Sequence, residues 1–511
     1  MEVIDYNNNT TVVTNGRLQD SGDQKLQAKE IITIPTEEKS TPVPTTSNWA
    51  SFLQTSARPV PNGTSTKKHT KSKSITKPIP KPASPVAPTP DFNINNESSQ
   101  PLGILLLRIM FDPNYSVLNS QLPLFNTKPR GLANTGNICY MNSILQILLY
   151  CEPFNRLLKL IHDKSIGNLG ASPTPMLDAT IKLFNQFKPD EESKTPISPD
   201  EFYNSLTAQP KFSHLKWGQQ EDAEEFLGYY LDGLNEEFLG VLKKLNTPMI
   251  DSLIQHYSLE NGVETVNKFK YNVKTTMKKV RNESKEENDE SEDDDDEGEW
   301  NEVGPKKKIH VKRTVEVEPT PLNMIFGGQF KSVLTIPKST NSFQKSITFD
   351  PFQHVQLDIS EASTIEGALE HLNKVEAISY KSSNKEIQIK KQTFLDKLPP
   401  VLIIHLKRFS YSNQDVAIEK LKKKIDYNHD LIIPKDVLST SAEIKYRLTS
   451  VVYHHGSSAD AGHYTTDVFK SDDSQWWRID DANFKEISTD DVQNHGGDDI
   501  KNAYILLYKK V

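Results

Sequence analysis

The hydrophobic pattern of the chain changes its period part-way along, and this change limits the fold more than any other feature. Residues 218–239 read GQQEDAEEFLGYYLDGLNEEFL, and their apolar side chains recur at the spacings of three and four residues that are typical of an amphipathic helix. After about residue 330 the apolar residues occur instead in short β-like runs. These runs are FKSVLTI, FQHVQLDI, PPVLIIHLKRF, YRLTSVVYHH, GHYTTDVFK, QWWRID and NAYILLYKK. Helices followed by an antiparallel sheet predict a fold of the α+β class.

Residues 1 to about 100 have a composition that does not support a packed core. They are rich in Ser, Thr, Pro, Asn and Lys, and they have little apolar periodicity to offset the entropy of ordering the backbone. We therefore expect a disordered N-terminal arm. Its one departure is SNWASFL at 47–53, which places Trp49, Phe52 and Leu53 on one face of a helical turn and is a candidate partner-binding motif.

A connecting apolar segment follows the arm at residues 101–128. It begins with PLGILLLRIMF at 101–111, for which a strand and an anchoring helix are both open. Dense structure is expected to begin near Lys128.

The net charge of -8 is concentrated in one run of the chain. Residues 283–302, ESKEENDESEDDDDEGEWNE, contain 13 acidic residues and one lysine, so the remainder carries about +4. No broad basic surface for nucleic acid is indicated, and the lysines of the arm favour a solvated tail over a nucleic-acid patch. Because like charges this dense cannot pack, we expect a charged, flexible insert from about 262 to 318.

The absence of long apolar runs and the small number of cysteines indicate the cellular compartment. The chain has no run of 18 or more apolar residues, and its start, MEVIDYNNNT, lacks the basic and apolar regions of a secretory signal. Its two cysteines, Cys139 and Cys151, are too few for a disulfide framework. These features predict a protein without a membrane span in a reducing compartment, namely the cytoplasm, with the nucleus as a further location.

One of the cysteines lies where a turn becomes an apolar helix, in GLANTGNICYMNSILQ at residues 131–146. The partial positive charge of a helix N-terminus favours a thiolate, and the unpaired backbone N–H groups there suit a developing oxyanion. Cys139 is therefore a candidate nucleophile. The alternative is a small core residue, which is the commoner role of a buried cysteine.

A general base and a residue that orients it are expected from distant parts of the sequence. His463 follows Gly462 at the start of the predicted strand in DAGHYTTDVF, and Asp480 and Asp481 end the next strand in QWWRIDDANF. An antiparallel pair of strands would bring one of these carboxylates to the imidazole. Each residue alone also has a structural explanation, but the three together favour a cysteine protease site.

The residues that carry these signals resemble the motifs of the ubiquitin-specific protease family. GLANTGNICYMNSILQ resembles its cysteine box, GHYTTDV with WWRIDDANF resembles its histidine box, and GQQEDAEEFL and PPVLIIHLKRF resemble two further motifs. The resemblance spans roughly residues 129–510. It implies a papain-like cysteine protease with fingers, palm and thumb subdomains, forming a catalytic domain over 129–511. IFGGQF, WNEVGPKKK and the arm resemble the fungal branch that works with an RNA-binding regulatory subunit.

The resemblance also implies roles for individual residues. The implied catalytic residues are Cys139 as nucleophile, His463 as base and later acid, Asp480 as orienting residue and Asn134 as an oxyanion donor. The implied substrate-binding residues are Asp222, which would meet an arginine of the ubiquitin tail, with Gln220, His455 and Tyr464. Many family members hold a structural zinc in the fingers with four cysteines, whereas this chain has no cysteine after Cys151. We therefore expect no metal and no cofactor.

The expected function is that of a deubiquitinase, which hydrolyses the peptide or isopeptide bond after the C-terminal glycine of ubiquitin through an acyl-enzyme. The expected partners are ubiquitin, ubiquitylated proteins and a regulatory subunit bound by the arm. Three alternatives remain: an isopeptidase for another ubiquitin-like modifier, a ubiquitin-binding scaffold without activity, and an assembly protein that acts mainly through its arm.

Overall fold

The computed structural model describes residues 99–511, apart from several internal segments. The segments not described are 166–171, 190–194, 282–300, 303–309, 316, 340–341, 383–384, 412–417, 457–461 and 494–500. The arm with its SNWASFL motif, and the acidic run up to residue 300, lie outside the described residues.

The described residues form α-helices mainly in the first half and β-strands mainly in the second, as an α+β fold requires. The helices are α1 (Leu102–Phe111), α2 (Cys139–Leu149), α3 (Glu152–Lys164), α4 (Pro175–Asn185), α5 (Asp200–Thr207), α6 (Ala223–Lys243), α7 (Thr247–Glu260), α8 (Val263–Val280), α9 (Pro321–Phe326), α10 (Ile365–Asn373) and α11 (Thr489–Gln493). The strands are β1 (Asn301–Glu302), β2 (His310–Thr314), β3 (Gly328–Ser339), β4 (Ser342–Phe352), β5 (Val355–Asp358), β6 (Glu376–Ser382), β7 (Lys385–Lys397), β8 (Val401–Lys407), β9 (Phe409–Tyr411), β10 (Ile418–Lys420), β11 (Asp430–Ile432), β12 (Lys445–His455), β13 (His463–Lys470), β14 (Gln475–Asp480), β15 (Asn483–Ile487) and β16 (Asn502–Lys510).

The thumb is the helical layer, and α2 and α6 are at its centre. Every residue of α2 is buried. The amphipathic helix expected in residues 218–239 is confirmed as α6, which begins at Ala223 because the side chain of Asp222 accepts a hydrogen bond from the Glu224 N–H.

The apolar segment before the catalytic motifs is part of the thumb. Residues 102–111 form helix α1, whose side chains from Ile104 to Met110 are buried against α3, α6 and α8. The helical alternative for this segment is therefore right. The expectation that dense structure begins near Lys128 is wrong, because burial of α1 gives the domain a boundary close to Gln100 instead.

The expected flexible insert over 262–318 is wrong at both of its ends. Residues 263–280 form helix α8, which buries Phe269, Val273 and Met277 at helical spacing, and Tyr257 of α7 stacks on Phe269 at 3.9 Å between ring centroids. At the other end, β1 and β2 pair with each other and β2 joins the edge of a sheet. The six lysines and arginines of 268–281 conceal the apolar period of α8 in the sequence.

The palm is a mixed sheet that supports the site. Its strand order is β15-β14-β13-β12-β16-β8-β5, with β11 also paired to β12. Alternate residues of β8 point to different apolar cores: Val401 and Ile403 face the helices, whereas Leu402 and Ile404 face the other side. Both faces are covered, which explains why β8 and β16 read as continuous apolar runs.

The fingers are a second sheet in the order β1-β2-β4-β3-β7-β6. Together the two sheets and the helical layer make the papain-like arrangement of fingers, palm and thumb. Among the residues that the structure describes, no helix is both long and apolar enough to cross a membrane.

Candidate active site

Cys139 is the first residue of α2, and the loop before it has a fixed conformation. Asn134 Oδ1 accepts a hydrogen bond from the backbone N–H of Ile138 at 2.9 Å. Asn137 adopts a left-handed conformation with φ of 55°, which asparagine tolerates better than most residues. The turn places the Cys139 thiol, which is largely buried, at the N-terminal end of the helix dipole.

His463 is the first residue of β13, and it joins the thiol to Asp480. Its Nε2 atom lies 2.6 Å from Asp480 Oδ1 and 3.9 Å from Asp481 Oδ2. A hydrogen bond with the Cys139 thiol, opposed by partial burial and reinforced by Asp480, raises the pKa of His463 to about 9. The structure thus brings the three predicted catalytic side chains together and selects Asp480 as the closer carboxylate.

Asp481 has a separate function in the arrangement that sequence reasoning did not assign. Its Oδ2 accepts from Asn134 Nδ2 and its Oδ1 accepts from Asn142 Nδ2, both at 2.8 Å. One N–H of the Asn134 amide is therefore engaged by Asp481. Donation from Asn134 to an oxyanion requires its second N–H or a change of partner, so the role of Asn134 stays a prediction.

The turn that follows Asp480 packs directly on the segment before the nucleophile loop. The Leu132 N–H donates to Asp481 O at 2.8 Å. A Cβ atom added to Gly131 would lie 2.2 Å from the backbone oxygen of Ala482. Only glycine allows this close approach, which sets the distance between the cysteine loop and the base.

Asp222 lies at the start of α6 and is held by the palm. The Tyr504 hydroxyl of β16 lies 2.6 Å from Asp222 Oδ2 and 2.8 Å from its Oδ1, and the Glu224 N–H donates to Oδ1. Burial raises the pKa of Asp222 to about 6. Its carboxylate caps a helix and joins thumb to palm in this structure, so recognition of an arginine by Asp222 stays a prediction.

The other three predicted substrate-binding residues occupy different environments. Gln220 is exposed and forms two hydrogen bonds with the backbone of Gly462. His455 Nε2 lies 2.7 Å from Thr465 Oγ1, and its ring centroid is 6.1 Å from that of His463. Tyr464 does not line the open cleft: it is buried, because neighbouring residues of a strand face opposite sides of the sheet. A substrate-binding role for Tyr464 stays a prediction.

A partly buried polar cluster behind the site was also missed from the sequence. Glu224 of α6 lies 2.7 Å from His354 Nε2 and 3.8 Å from His405 Nδ1, and Gln356 Nε2 donates to it at 2.9 Å. Burial alone would raise the pKa of Glu224, but the hydrogen bond from His354 and the nearby His405 lower it to about 2. No local signal reveals this cluster, because its members come from α6, β8 and the segment around β5.

His463, Asp480 and Asp481 are also the one cluster of described residues with three side chains close enough to hold a metal ion. Both oxygens of Asp481 already accept hydrogen bonds from asparagine amides, and Asp480 is paired with the imidazole. The donor set is thus arranged for a base and its orienting carboxylate.

A sequence model of one protein family matches most of this domain. The model is described as ubiquitin carboxyl-terminal hydrolase, and it matches residues 130–508. The chain belongs to the ubiquitin carboxyl-terminal hydrolase family. The matched range contains every residue of the site described above.

Relatives within the family differ from this chain in length. Ubiquitin carboxyl-terminal hydrolase 3 of Saccharomyces cerevisiae is 36% identical over 491 residues, which cover 80% of this chain and 54% of the relative. The probable ubiquitin carboxyl-terminal hydrolase 3 of Schizosaccharomyces pombe is 36% identical, with 75% and 74% covered. Ubiquitin carboxyl-terminal hydrolase 10 of Xenopus tropicalis is 37% identical, with 75% and 48% covered. The chain thus spans about half the length of the first and third relatives.

Solved structures share the fold. A chain of the SAGA DUB module Ubp8/Sgf11/Sus1/Sgf73 bound to monoubiquitin has a TM-score of 0.52 at 22% identity, with 75% of this chain and 69% of that chain covered. The module bound to ubiquitin aldehyde gives a TM-score of 0.51 at 20% identity, with 75% and 70% covered. At this level of identity the likeness shows the fold alone.

Proposed function

We propose that this protein is a thiol-dependent deubiquitinase that hydrolyses the bond after the C-terminal glycine of ubiquitin. The observation that carries the proposal is the alignment of Cys139, His463 and Asp480 at the N-terminus of α2, with Nε2 of the imidazole 2.6 Å from the Asp480 carboxylate. Membership of the ubiquitin carboxyl-terminal hydrolase family supplies the substrate class.

The chemistry proceeds in two halves. The His463 imidazole takes the proton of the Cys139 thiol, and the thiolate attacks the carbonyl carbon of the terminal glycine. The tetrahedral oxyanion is stabilised by backbone N–H groups at the helix N-terminus and by the second N–H of Asn134. When the C–N bond breaks, the imidazolium gives its proton to the leaving amine, which is a lysine side chain or an α-amine. A water molecule, deprotonated by His463, then attacks the thioester and releases ubiquitin and the thiol.

Charge at the start of α6 supports recognition of a basic tail. Glu221, Asp222 and Glu225 are close together in sequence next to the cleft between thumb and palm. A basic residue of the modifier tail would find acidic partners there, and His455 would contact the same tail beside His463. These contacts require the tail to compete with Tyr504 for the Asp222 carboxylate.

A panel of fluorogenic substrates made from ubiquitin and other ubiquitin-like modifiers tests the proposal. We expect cleavage of the ubiquitin substrate, at least about 100-fold slower cleavage of the others, and complete loss of activity in Cys139→Ala with ubiquitin binding retained. Preferred cleavage of another modifier would identify an isopeptidase of different specificity. Binding of ubiquitin without any cleavage by the unaltered chain would identify a scaffold.

The partner and compartment form a finer part of the proposal. The resemblance of the arm and of IFGGQF to the fungal branch supports a regulatory subunit recruited by residues 1 to about 100 in the cytoplasm, with the nucleus as a further location. Replacing Trp49 and Phe52 with alanine in the full chain should weaken co-purification of that subunit while leaving the rate at which the full chain cleaves a small ubiquitin substrate unchanged. Equal recovery of the subunit by the unaltered and altered chains would contradict this.

A further inference from the structure

Gln220 and Gly462 make a reciprocal pair of hydrogen bonds beside the catalytic histidine. Gln220 Nε2 donates to Gly462 O at 2.9 Å, and the Gly462 N–H donates to Gln220 Oε1 at 3.2 Å. One side-chain amide thus pairs both backbone polar groups of the residue that precedes His463. Gln220 lies just before α6 of the thumb, whereas Gly462 immediately precedes the palm strand β13, which carries the base.

The position of Gly462 is narrowly defined by its other neighbours. A Cβ atom added there would lie 2.1 Å from Nε2 of the buried His454, so the backbone passes directly over that ring. The paired residues of β12 and β13 end at His455 and His463, next to Gly462. The two hydrogen bonds between Gln220 and Gly462 therefore hold the backbone one residue beyond the last pair of β12 and β13.

The segment that contains Gln220 also holds the nucleophile loop. The Gly218 N–H donates to Gly136 O at 3.0 Å, and Asn137 Nδ2 donates to Gly218 O at 2.8 Å. At its other end the segment is fixed to the palm by the bonds between Asp222 and Tyr504. Within residues 218–222, Gly218 thus contacts the loop before Cys139, Gln220 contacts the residue before His463, and Asp222 contacts the palm sheet.

We propose that Gln220 is a positioning residue, which sets the place of His463 relative to Cys139 through Gly462, and is not a ligand of the substrate. The role follows from the position of the Gln220 side chain, which extends across the cleft from the segment before α6 to the strand that carries His463. The inference deepens the proposed function, since it concerns the same catalytic pair. It also assigns Gln220 a different role from the one implied by the family resemblance.

The test uses a reaction that needs the catalytic pair and no ubiquitin. Alkylation by iodoacetamide consumes the thiolate, so its rate at each pH reports how well His463 accepts the proton of Cys139. Peptide mapping separates this site from Cys151, which is buried and whose pKa burial raises to about 12. The variants are Gln220→Met, which keeps the length of the side chain without its hydrogen bonds, and Gln220→Asn, which keeps the amide but is one methylene shorter.

For both variants we expect a fall of about tenfold in kcat on a ubiquitin substrate with KM within about threefold. Alkylation of Cys139 at neutral pH should slow by a similar factor, and its pH midpoint should move upward. The matched control is Gln219→Ala at the exposed neighbouring position, where both rates should stay within about twofold.

A rise in KM with unchanged kcat and an unchanged alkylation profile would overturn the proposal and make Gln220 a substrate ligand. Normal kcat, KM and alkylation in both variants would also overturn it. If the unaltered chain does not cleave a ubiquitin substrate, the proposed function fails, whereas the alkylation profiles still decide the role of Gln220.

Discussion

Arg478 and Asp467 face each other across the two strands that carry Asp480 and His463, and they form a two-bond ion pair. Arg478 Nε lies 2.8 Å from Asp467 Oδ1, and Nη2 lies 2.7 Å from Oδ2. The two residues are register partners of β14 and β13, and Asp467 is 0% exposed. This two-bond pair fixes the register that brings the orienting carboxylate beside the base, because a slip of one strand by one residue would leave the two side chains on opposite faces of the sheet.

Removal of the buried carboxylate should therefore destabilise the palm. In Asp467→Ala the guanidinium of Arg478 loses its partner within the sheet, and breaking a buried pair from one side costs about 3–5 kcal/mol. We expect a loss near the lower end of that range, since Arg478 is partly exposed. Urea unfolding followed by circular dichroism measures the free energy of unfolding.

The matched control is another cross-strand pair of the same residue types. Arg447 and Asp430 are register partners of β12 and β11, with Arg447 Nε 3.0 Å from Asp430 Oδ1, but their side chains are 63% and 65% exposed. Arg447→Ala should change the free energy of unfolding by less than about 1 kcal/mol. Equal losses of unfolding free energy in Asp467→Ala and Arg447→Ala would show that burial does not make the Arg478–Asp467 pair more stabilising than an exposed pair.

Asp480→Asn should move the alkaline limit of activity. The thiol hydrogen bond and the Asp480 carboxylate keep the pKa of His463 near 9, so the imidazolium needed to protonate the leaving amine is lost as pH rises through that value. Without the carboxylate the histidine loses its proton at lower pH. We expect the descending limb of kcat against pH to shift downward by about one unit and kcat at pH 7.5 to fall about tenfold or more.

The second aspartate provides the comparison for this experiment. Asp481 lies 3.9 Å from His463 Nε2 and has its two oxygens occupied by asparagine amides. Asp481→Asn should weaken the hydrogen bonds to Asn134 and Asn142 and change the pKa of His463 only slightly. The descending limb of kcat against pH should therefore move less than it does in Asp480→Asn. A larger shift for Asp481→Asn would identify it as the residue that sets the pKa of the base.

His405 should make the fold sensitive to acid. Its ring is buried, and burial lowers its pKa to about 4 in spite of the nearby Glu224. The unfolded chain binds a proton at the ordinary pKa near 6.5, so stability is lost as pH falls from about 6.5 through about 4. His405→Phe keeps the edge contact with Tyr504, whose ring centroid lies 4.8 Å away, and removes this titration.

The measurement for His405→Phe is the free energy of unfolding by urea at pH 7 and at pH 4.5. We expect the variant to lose about 1–2 kcal/mol less than the unaltered protein between the two values. His214→Phe, at an exposed position, is the control and should lose as much as the unaltered protein. An equal loss in His405→Phe would mean that other groups set the acid sensitivity.

The parts of the fold that sequence predicted are those with a local, periodic signal. The period of α6 and the apolar runs of β8, β12 and β16 read directly as elements, because each buries its side chains in a regular pattern. Cys139 and His463 could be identified because their positions in the sequence suit their chemistry. The cysteine stands at the start of a predicted helix, which favours a thiolate, and the histidine stands at the start of a predicted strand, where it can act as the base. In contrast, α8 was missed, since its lysines hide five buried positions.

The parts that sequence could not predict depend on tertiary contacts between distant residues. The pattern of residues left Asp480 and Asp481 both open, and only the family resemblance named Asp480; the structure shows the turn at Ala482, packed on Gly131, with the Asp480 carboxylate at the imidazole. Likewise, no sequence pattern links Glu224 to His354 and His405 from other elements. Polar networks of this kind are determined by topology rather than by spacing along the chain.

The fingers sheet should be stabilised by packing and not by a metal. The chain has two cysteines, both before residue 152, so a cluster of four cysteine thiolates is excluded for this sheet. At the base of the sheet, the rings of Phe330 and Phe352 lie 4.4 Å apart, and the Phe352 ring covers Gly328 so closely that a Cβ atom there would be 2.1 Å from it. We expect 1,10-phenanthroline to leave both the unfolding midpoint and the activity unchanged.

The packing half of this prediction compares two phenylalanines of the same strand. Phe352 is 8% exposed and Phe343 is 62% exposed, and both belong to β4. Phe352→Ala should lower the free energy of unfolding by about 3 kcal/mol, because a large apolar side chain leaves a cavity, whereas Phe343→Ala should change it by less than about 0.5 kcal/mol. A fall of the unfolding midpoint with the chelator, or zinc in equimolar amount by elemental analysis, would show that a metal bound by other ligands stabilises the protein.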